Sequence, residues 1–356
     1  MQVIASTTAL LEKKILTQQR LSWDEALALW DLDLLTLGRW ANYVRRQRHP
    51  EAVVSYVVDR NINYTNICVA GCRFCAFFRP PGHPDGYVLP WEELACKLAE
   101  TKALGGTGVL LQGGLNPDLP FSYYEDLVRF IRQAGLHVHG FSPPEIVFFA
   151  QTSGFTIAAV LARLKAAGLG SIPGGGAEIL VDRVRRQLAP GKCTAAEWLE
   201  VMATAHSLGL RTTATMMFGH IETEAERLEH LLRLREIQDR TGGFTAFIPW
   251  SFQPGGTALG GTTADVVDYL KTLTIARLVL DNFANLQVSW VTQGAKVAQV
   301  ALEFGANDFG STMIEENVVA ATGVGFRLSR EEIVRQIQGA GYQARQRDHL
   351  YRPVER

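Results

Sequence analysis

Short strand-like runs and longer helical stretches alternate along most of the chain, and this alternation limits the fold more than any other feature. Runs at 107–112, 136–141, 169–173, 211–218, 244–252 and 285–291 each follow helical segments, at 91–104, 121–134, 143–152 with 156–167, 194–208, 223–240 and 263–283. Two earlier runs, 53–58 and 61–67, open the series, and helix 294–304 leads to a short run near 306–309. Strands separated by helices of this length pair in parallel through right-handed crossovers. About eight of them predict an α/β architecture, a (β/α)8 TIM-type barrel, with its chemistry at the C-terminal ends of the strands.

Residues 1–52 read as an N-terminal helical extension, 53–328 as the barrel, and 329–356 as a C-terminal helix and strand packing on it. In the extension, Ser22 and Glu25 form a capping box. Arg45, Arg46 and Arg48 read as a solvated cluster at a helix C-terminus.

Between the second run and the first barrel helix stand Cys68, Cys72 and Cys75, at Cys-x3-Cys-x2-Cys spacing with Phe74 before the last. Thiolates this close can converge on one metal centre. A disulfide would pair only two of them. A structural zinc site needs a fourth ligand, which another part of the chain could supply. A [4Fe–4S] cube takes one cysteine on each iron, so three cysteines leave one iron open to a small molecule. The tight triplet followed by aromatics favours the cube.

Composition narrows the partners. A formal net charge of −1 gives no basic excess for nucleic acid. No apolar run approaches the ~20 residues of a membrane span, and the N-terminus lacks the order of a signal peptide. Five cysteines, an odd number with three committed to metal, argue for a reducing cytoplasm rather than a disulfide framework. Cys96 and Cys193 lie in helical patterns and read as small buried hydrophobes.

The strand-end loops carry the other candidates. Gly113-Gly114 follows the run at 107–112, and adjacent glycines there allow a ligand close to the backbone, or simply a tight turn. Gly174-Gly175-Gly176-Ala177-Glu178 follows the run at 169–173. In 136–141, Leu136 and Val138 alternate with His137, His139 and Phe141, so one face is polar and predicted to face the lumen.

The pattern Cys-x3-Cys-x-aromatic-Cys resembles the signature of radical S-adenosylmethionine (SAM) enzymes. The resemblance implies a [4Fe–4S] cluster on Cys68, Cys72 and Cys75, whose open iron chelates SAM. It implies Phe74 near the adenine, Gly113 and Gly114 receiving the methionine ammonium, and Glu178 on the ribose hydroxyls. Thr215-Met216-Met217-Phe218-Gly219-His220-Ile221-Glu222 resembles the family motif G-x-I-x-G-x-x-E. It departs from it at Thr215 and Met217, while Gly219 and Glu222 match; Met217 would offer an apolar surface to adenine.

Segments 72–79, 137–145, 173–180, 216–220 and 305–313 resemble one subgroup, which holds menaquinone futalosine-pathway enzymes and deazaflavin FO synthases. Segments 109–120 and 289–294 are most similar to its futalosine-cyclising branch. That implies dehypoxanthine futalosine as small-molecule substrate, loss of its ribose C4′ hydrogen to a 5′-deoxyadenosyl radical, and addition of C4′ to the benzoate ring. It also implies a reducing electron donor such as flavodoxin or ferredoxin. A base must take the last proton. His139 is the first candidate, followed by Glu145, His220 and Asp308. Arg79 is placed on a carboxylate of substrate or SAM, with His137 and Asn307 as further substrate contacts. Each also has a plain structural reading as a hydrogen-bonded group. Rival functions are an aminofutalosine synthase, an FO synthase component, an iron–sulfur electron carrier or scaffold, and a zinc-binding interaction protein.

Overall fold

The computed structural model describes residues 2–355. Ten parallel-pairing strands are β1 (Val53–Val57), β2 (Asp59–Ile62), β3 (Gly108–Leu111), β4 (His137–Gly140), β5 (Ser171–Ile172), β6 (Arg211–Phe218), β7 (Phe244–Ser251), β8 (Asn285–Leu286), β9 (Asp308–Ser311) and β10 (Gln343–Arg347). A seven-stranded sheet runs β2-β3-β4-β5-β6-β7-β8, and a three-stranded sheet runs β10-β1-β9. They meet twice. β1 continues into β2 through Val58, and a parallel bridge pairs Gln287 with Asp308 beyond the end of β8. The strands therefore curl into a ring, closed thinly on the β8–β9 side.

Helices cover the outside of the ring. Val109, Val138, Ile172, Ala214 and Phe247, which point outward, are fully buried. Local chemistry fixes where the helices start and stop. Thr194 with Glu197 and Thr223 with Glu226 close capping boxes, as do Ser22 and Glu25 in the extension. Gly154, Gly168 and Gly242 end helices at positive φ. Among the described residues no single helix is long and apolar enough to cross a membrane.

Four local expectations are corrected. Arg45 is buried, not solvated: its Nε donates to the Ala306 carbonyl at 2.9 Å, and Arg48 Nη1 donates to Phe283 O at 2.7 Å. These guanidiniums bolt the extension to the barrel by meeting strand-end carbonyls. The strand expected at 285–291 ends at Leu286, and a helix Trp290–Ala301 takes over, with Trp290 Nε1 donating to Ser311 O at 2.9 Å. Phe141 does not share the lumen face with His139. Its φ of +60° turns the chain, and its ring packs outward against Tyr124 and Phe149. Cys193 is buried as expected, whereas Cys96 is exposed.

The C-terminus enters the barrel floor. Helix Arg330–Gly339 leads into β10, which pairs with β1 from Val53↔Gln343 to Val57↔Arg347. At floor level β10 takes the place beside β1 that β3 takes beside β2 above it. The chain then turns inward, so that Arg347, His349 and Tyr351 line the lumen.

Candidate active site

The cysteine loop is held by its own backbone. Cys68 N donates to Arg79 O and Arg79 N donates to Asn66 O, both at 2.8 Å, which closes the base of the loop. Gly71 supplies the positive φ of +58° that turns the chain between Cys68 and Cys72. All three cysteines line one cavity of about 220 Å³ together with Phe74, Gly113, Gly114, Glu145 and Glu178. Among the described residues no three His, Cys, Asp or Glu side chains converge on a single ion. Three thiols along one wall of this cavity can each take a separate iron of a polynuclear cluster. A Cβ on Gly114 would strike the Ile67 carbonyl and crowd the Cys68 Cβ, so the backbone there is pressed onto the loop. The residues present fit the cluster. Burial pushes the Cys72 thiol up to about 12 against the pull of the Lys192 ammonium, and burial likewise raises Cys75. A metal must therefore displace protons from these thiols to bind.

Two buried carboxylates complete that cavity, in different states of engagement. Glu145 accepts four hydrogen bonds: Tyr64 Oη at 2.7 Å and Gly113 N at 3.1 Å on Oε1, Ser142 N at 2.7 Å and Ser142 Oγ at 2.6 Å on Oε2. It caps helix Pro143–Ser153 and pins the glycine turn, which leaves it a structural anchor rather than a free base. Glu178 sits at a φ of +41° and pairs with Lys192 Nζ at 2.6 Å. Burial opposes ionisation of Glu178, but the ammonium overcomes it and holds the carboxyl below its usual range. Lys192 also lies 4.9 Å from the centre of the Phe74 ring. Nothing local to Lys192 in the sequence marks it; only the fold brings it to the cysteine loop.

A second cavity, about 270 Å³, occupies the lumen. His139 lines it, with Asn61, Thr213, Thr215, Gln287 and Ser289. The Asn61 Oδ1 atom is buried without a hydrogen-bond partner. Gln112, Gly175, Trp250 and Val318 border both cavities, so the cysteine side and the lumen adjoin through these residues.

Six candidates lie outside both cavities, each held for an evident reason. Asp308 is locked to Arg347 at the floor by hydrogen bonds of 2.5 and 2.8 Å. Asn307 accepts from Arg277 Nη2 at 2.7 Å and from Leu286 N at 2.9 Å, tying β8 to β9. Arg79 donates to the carbonyls of Ala76, Phe77 and Phe78 in its own loop. His220 has a fully buried side chain, with Nε2 3.0 Å from Met217 O. Met217 is buried in the core, and its N–H donates to Glu178 O at 3.1 Å. His137 lies below the lumen, bonded to Ser171.

The chain matches the radical SAM superfamily over residues 62–234 and the CofH/MqnC C-terminal region over residues 241–356. It is 44% identical over 350 residues to the cyclic dehypoxanthine futalosine synthase of Halalkalibacterium halodurans, covering 97% of this chain and 94% of that protein. The chain belongs to the radical SAM family. A [4Fe–4S] cluster and SAM go with membership of that family. The radical SAM chain is also 44% identical over 312 residues to the 5-amino-6-(D-ribitylamino)uracil–L-tyrosine 4-hydroxyphenyl transferase of Methanopyrus kandleri, covering 85% of each. The solved structure of methylornithine synthase shares its fold, with a TM-score of 0.74 at 18% identity, over 94% of this chain and 97% of that one.

Proposed function

We propose that this radical SAM chain is a cyclic dehypoxanthine futalosine synthase, closing dehypoxanthine futalosine in menaquinone biosynthesis. The observation that carries the reading is the match to the Halalkalibacterium halodurans synthase along 97% of the chain. The neighbouring cavities support it, since a lumen that adjoins the cysteine side through shared lining residues suits a reaction passed from cofactor to substrate. When bound, the cluster and SAM supply the 5′-deoxyadenosyl radical that takes the ribose C4′ hydrogen.

The chain's own residues hold and position. Cys68, Cys72 and Cys75 would hold the cluster. Phe74 would lie by the adenine, the Gly113-Gly114 backbone by the methionine end, and Glu178, steadied by Lys192, by the ribose. The lumen must keep C4′ beside the benzoate ring, a positioning task in which small misplacements cost rate. Asn61 Oδ1, Thr213 and Thr215 offer hydrogen-bond partners to the substrate's hydroxyls. His139 is the base we assign. A one-electron donor of the flavodoxin or ferredoxin type would work with it in the cytoplasm.

The test is anaerobic incubation with SAM, a strong reductant and dehypoxanthine futalosine. Release of 5′-deoxyadenosine with a product lighter by two hydrogens is expected. Turnover of 5-amino-6-(D-ribitylamino)uracil with tyrosine instead would move the chain to the transferase branch.

A further inference from the structure

Closing the ring leaves one hydrogen too many on an aromatic carbon, and that proton has to leave a lumen whose floor is covered by the chain's own C-terminal segment. One feature at the floor is suited to carry it. Ser171 Oγ lies 2.7 Å from His139 Nδ1 and 2.7 Å from His137 Nε2. His139 lines the lumen and its Nε2 has no protein partner among the described residues. His137 lies beneath it on the same strand and is partly exposed. A serine hydroxyl has one proton to donate. With these two imidazoles as its partners it donates to one and accepts from the other. Because it meets Nδ1 of His139 and Nε2 of His137, the two neutral rings then hold the same tautomer, both Nδ1–H or both Nε2–H.

We propose that His139, Ser171 and His137 form a proton exit path from the lumen to the barrel floor, used when the newly closed ring regains aromaticity. The proposal rests on the cyclase reading. In that step one electron leaves the cyclised radical for a one-electron acceptor of the iron–sulfur or flavin class. The ring C–H bond breaks, and its electron pair returns to the aromatic system. The proton goes to His139 Nε2, and the proton on His139 Nδ1 moves to Ser171 Oγ. The serine's own proton passes to His137 Nε2, and His137 releases its Nδ1 proton to water. Charge is conserved at each transfer, and neither histidine has to move.

The surroundings keep the path neutral at rest. Burial lowers His139 to about 3, with His137 and Arg347 adding to the effect. Burial lowers His137 to about 4, opposed by Asp348 and assisted by Arg132 and Arg352. The His349 ring lies 5.1 Å from that of His137 and 5.3 Å from that of His139, and is itself pushed down by burial. Bases this weak still accept a proton from a ring that has lost an electron, because such a cationic ring is a strong acid.

Two measurements test the path. In the cluster-free protein, 15N NMR of the imidazoles is expected to show the same tautomer, Nδ1–H, at His137 and His139, and Ser171→Ala is expected to uncouple them. In turnover, Ser171→Ala is expected to lower the ratio of cyclised product to 5′-deoxyadenosine, on the order of 100-fold. Ser171→Thr, which keeps the hydroxyl, is expected to restore it, and His137→Gln to lower it. A Ser171→Ala enzyme with the wild-type ratio overturns the path, and so does one in which both products fall together. A wild-type enzyme that forms no cyclised product overturns the parent reading instead, and the path with it.

Discussion

Arg347 grips Asp308 with two parallel hydrogen bonds, Nε to Oδ2 at 2.5 Å and Nη2 to Oδ1 at 2.8 Å, and the Asp308 side chain is fully buried. Ser55 Oγ at 2.5 Å and Gly310 N at 2.9 Å fill the remaining acceptor positions. The pair joins β10 to β9 and so fastens the C-terminal segment under the lumen. Removing one partner leaves a buried charge uncompensated, which costs about 3–5 kcal/mol. Asp308→Ala is expected to lower the unfolding free energy by that amount, seen as a lower midpoint at unchanged slope. The double change Asp308→Leu with Arg347→Met is expected to lose less than Asp308→Ala alone, as read by urea titration. An Asp308→Ala protein of full stability would refute the floor-clamp role.

Glu222 makes a separate prediction about acid. Its carboxylate accepts from Gly219 N at 2.6 Å, His220 N at 3.0 Å and Arg227 Nε at 2.8 Å. Burial pushes its carboxyl up, yet the contact with His220, the Arg227 guanidinium and the Gly219 N–H outweigh it and hold the group well below its ordinary value of 4.5. A lowered folded pKa means that the unfolded chain takes up its proton first as pH falls. The stabilisation is complete above the unfolded value and drains away as pH drops toward the folded one. Glu222→Gln is expected to be less stable near neutrality and to lose less stability on acidification than wild type. Parallel pH–stability curves for the two proteins would count against this assignment.

These two carboxylates also mark the boundary of what sequence reasoning reaches. The cysteine loop, the Ser22–Glu25 box and the alternation that builds the barrel were legible in the sequence, and Glu222 only as a match to the family motif. All are local in spacing or periodic. Asp308 was read as catalytic because its partner lies thirty-nine residues away on a strand, Gln343–Arg347, with no apolar pattern. Lys192 and Arg45 were missed or misread for the same reason. A long basic side chain announces its charge but not whether it will reach a buried carboxylate or a strand-end carbonyl. Phe141 shows another limit: a single positive φ reverses the alternation that assigns faces to a strand.

Gly114 gives a prediction about the cluster that does not depend on turnover. An added Cβ would meet backbone at Ile67, which cannot yield as a side-chain tip can. Gly114→Ala is expected to cost about 1–3 kcal/mol and to displace the loop that carries Cys68. Iron bound after anaerobic reconstitution should fall well below wild type. Gly325→Ala, where a Cβ meets nothing within 4 Å, serves as the control and should bind iron normally. Full iron loading of Gly114→Ala would show that the loop tolerates the shift.

Cys72 is the innermost of the three thiols, buried where Cys68 and Cys75 are partly exposed. Exchanging it for alanine removes a metal ligand while keeping a small apolar group in the same space, so the metal-free fold is expected to melt close to wild type. Reconstituted Cys72→Ala should lack the visible iron–sulfur absorbance and release no 5′-deoxyadenosine from SAM. Cys96→Ala is the matched control. That thiol is exposed and lines neither cavity, so its loss should leave both colour and SAM cleavage intact. If Cys72→Ala instead kept its colour and its cleavage, a different side chain would have to complete the cluster. The assignment of the cysteine triplet would then fall even with the fold unchanged.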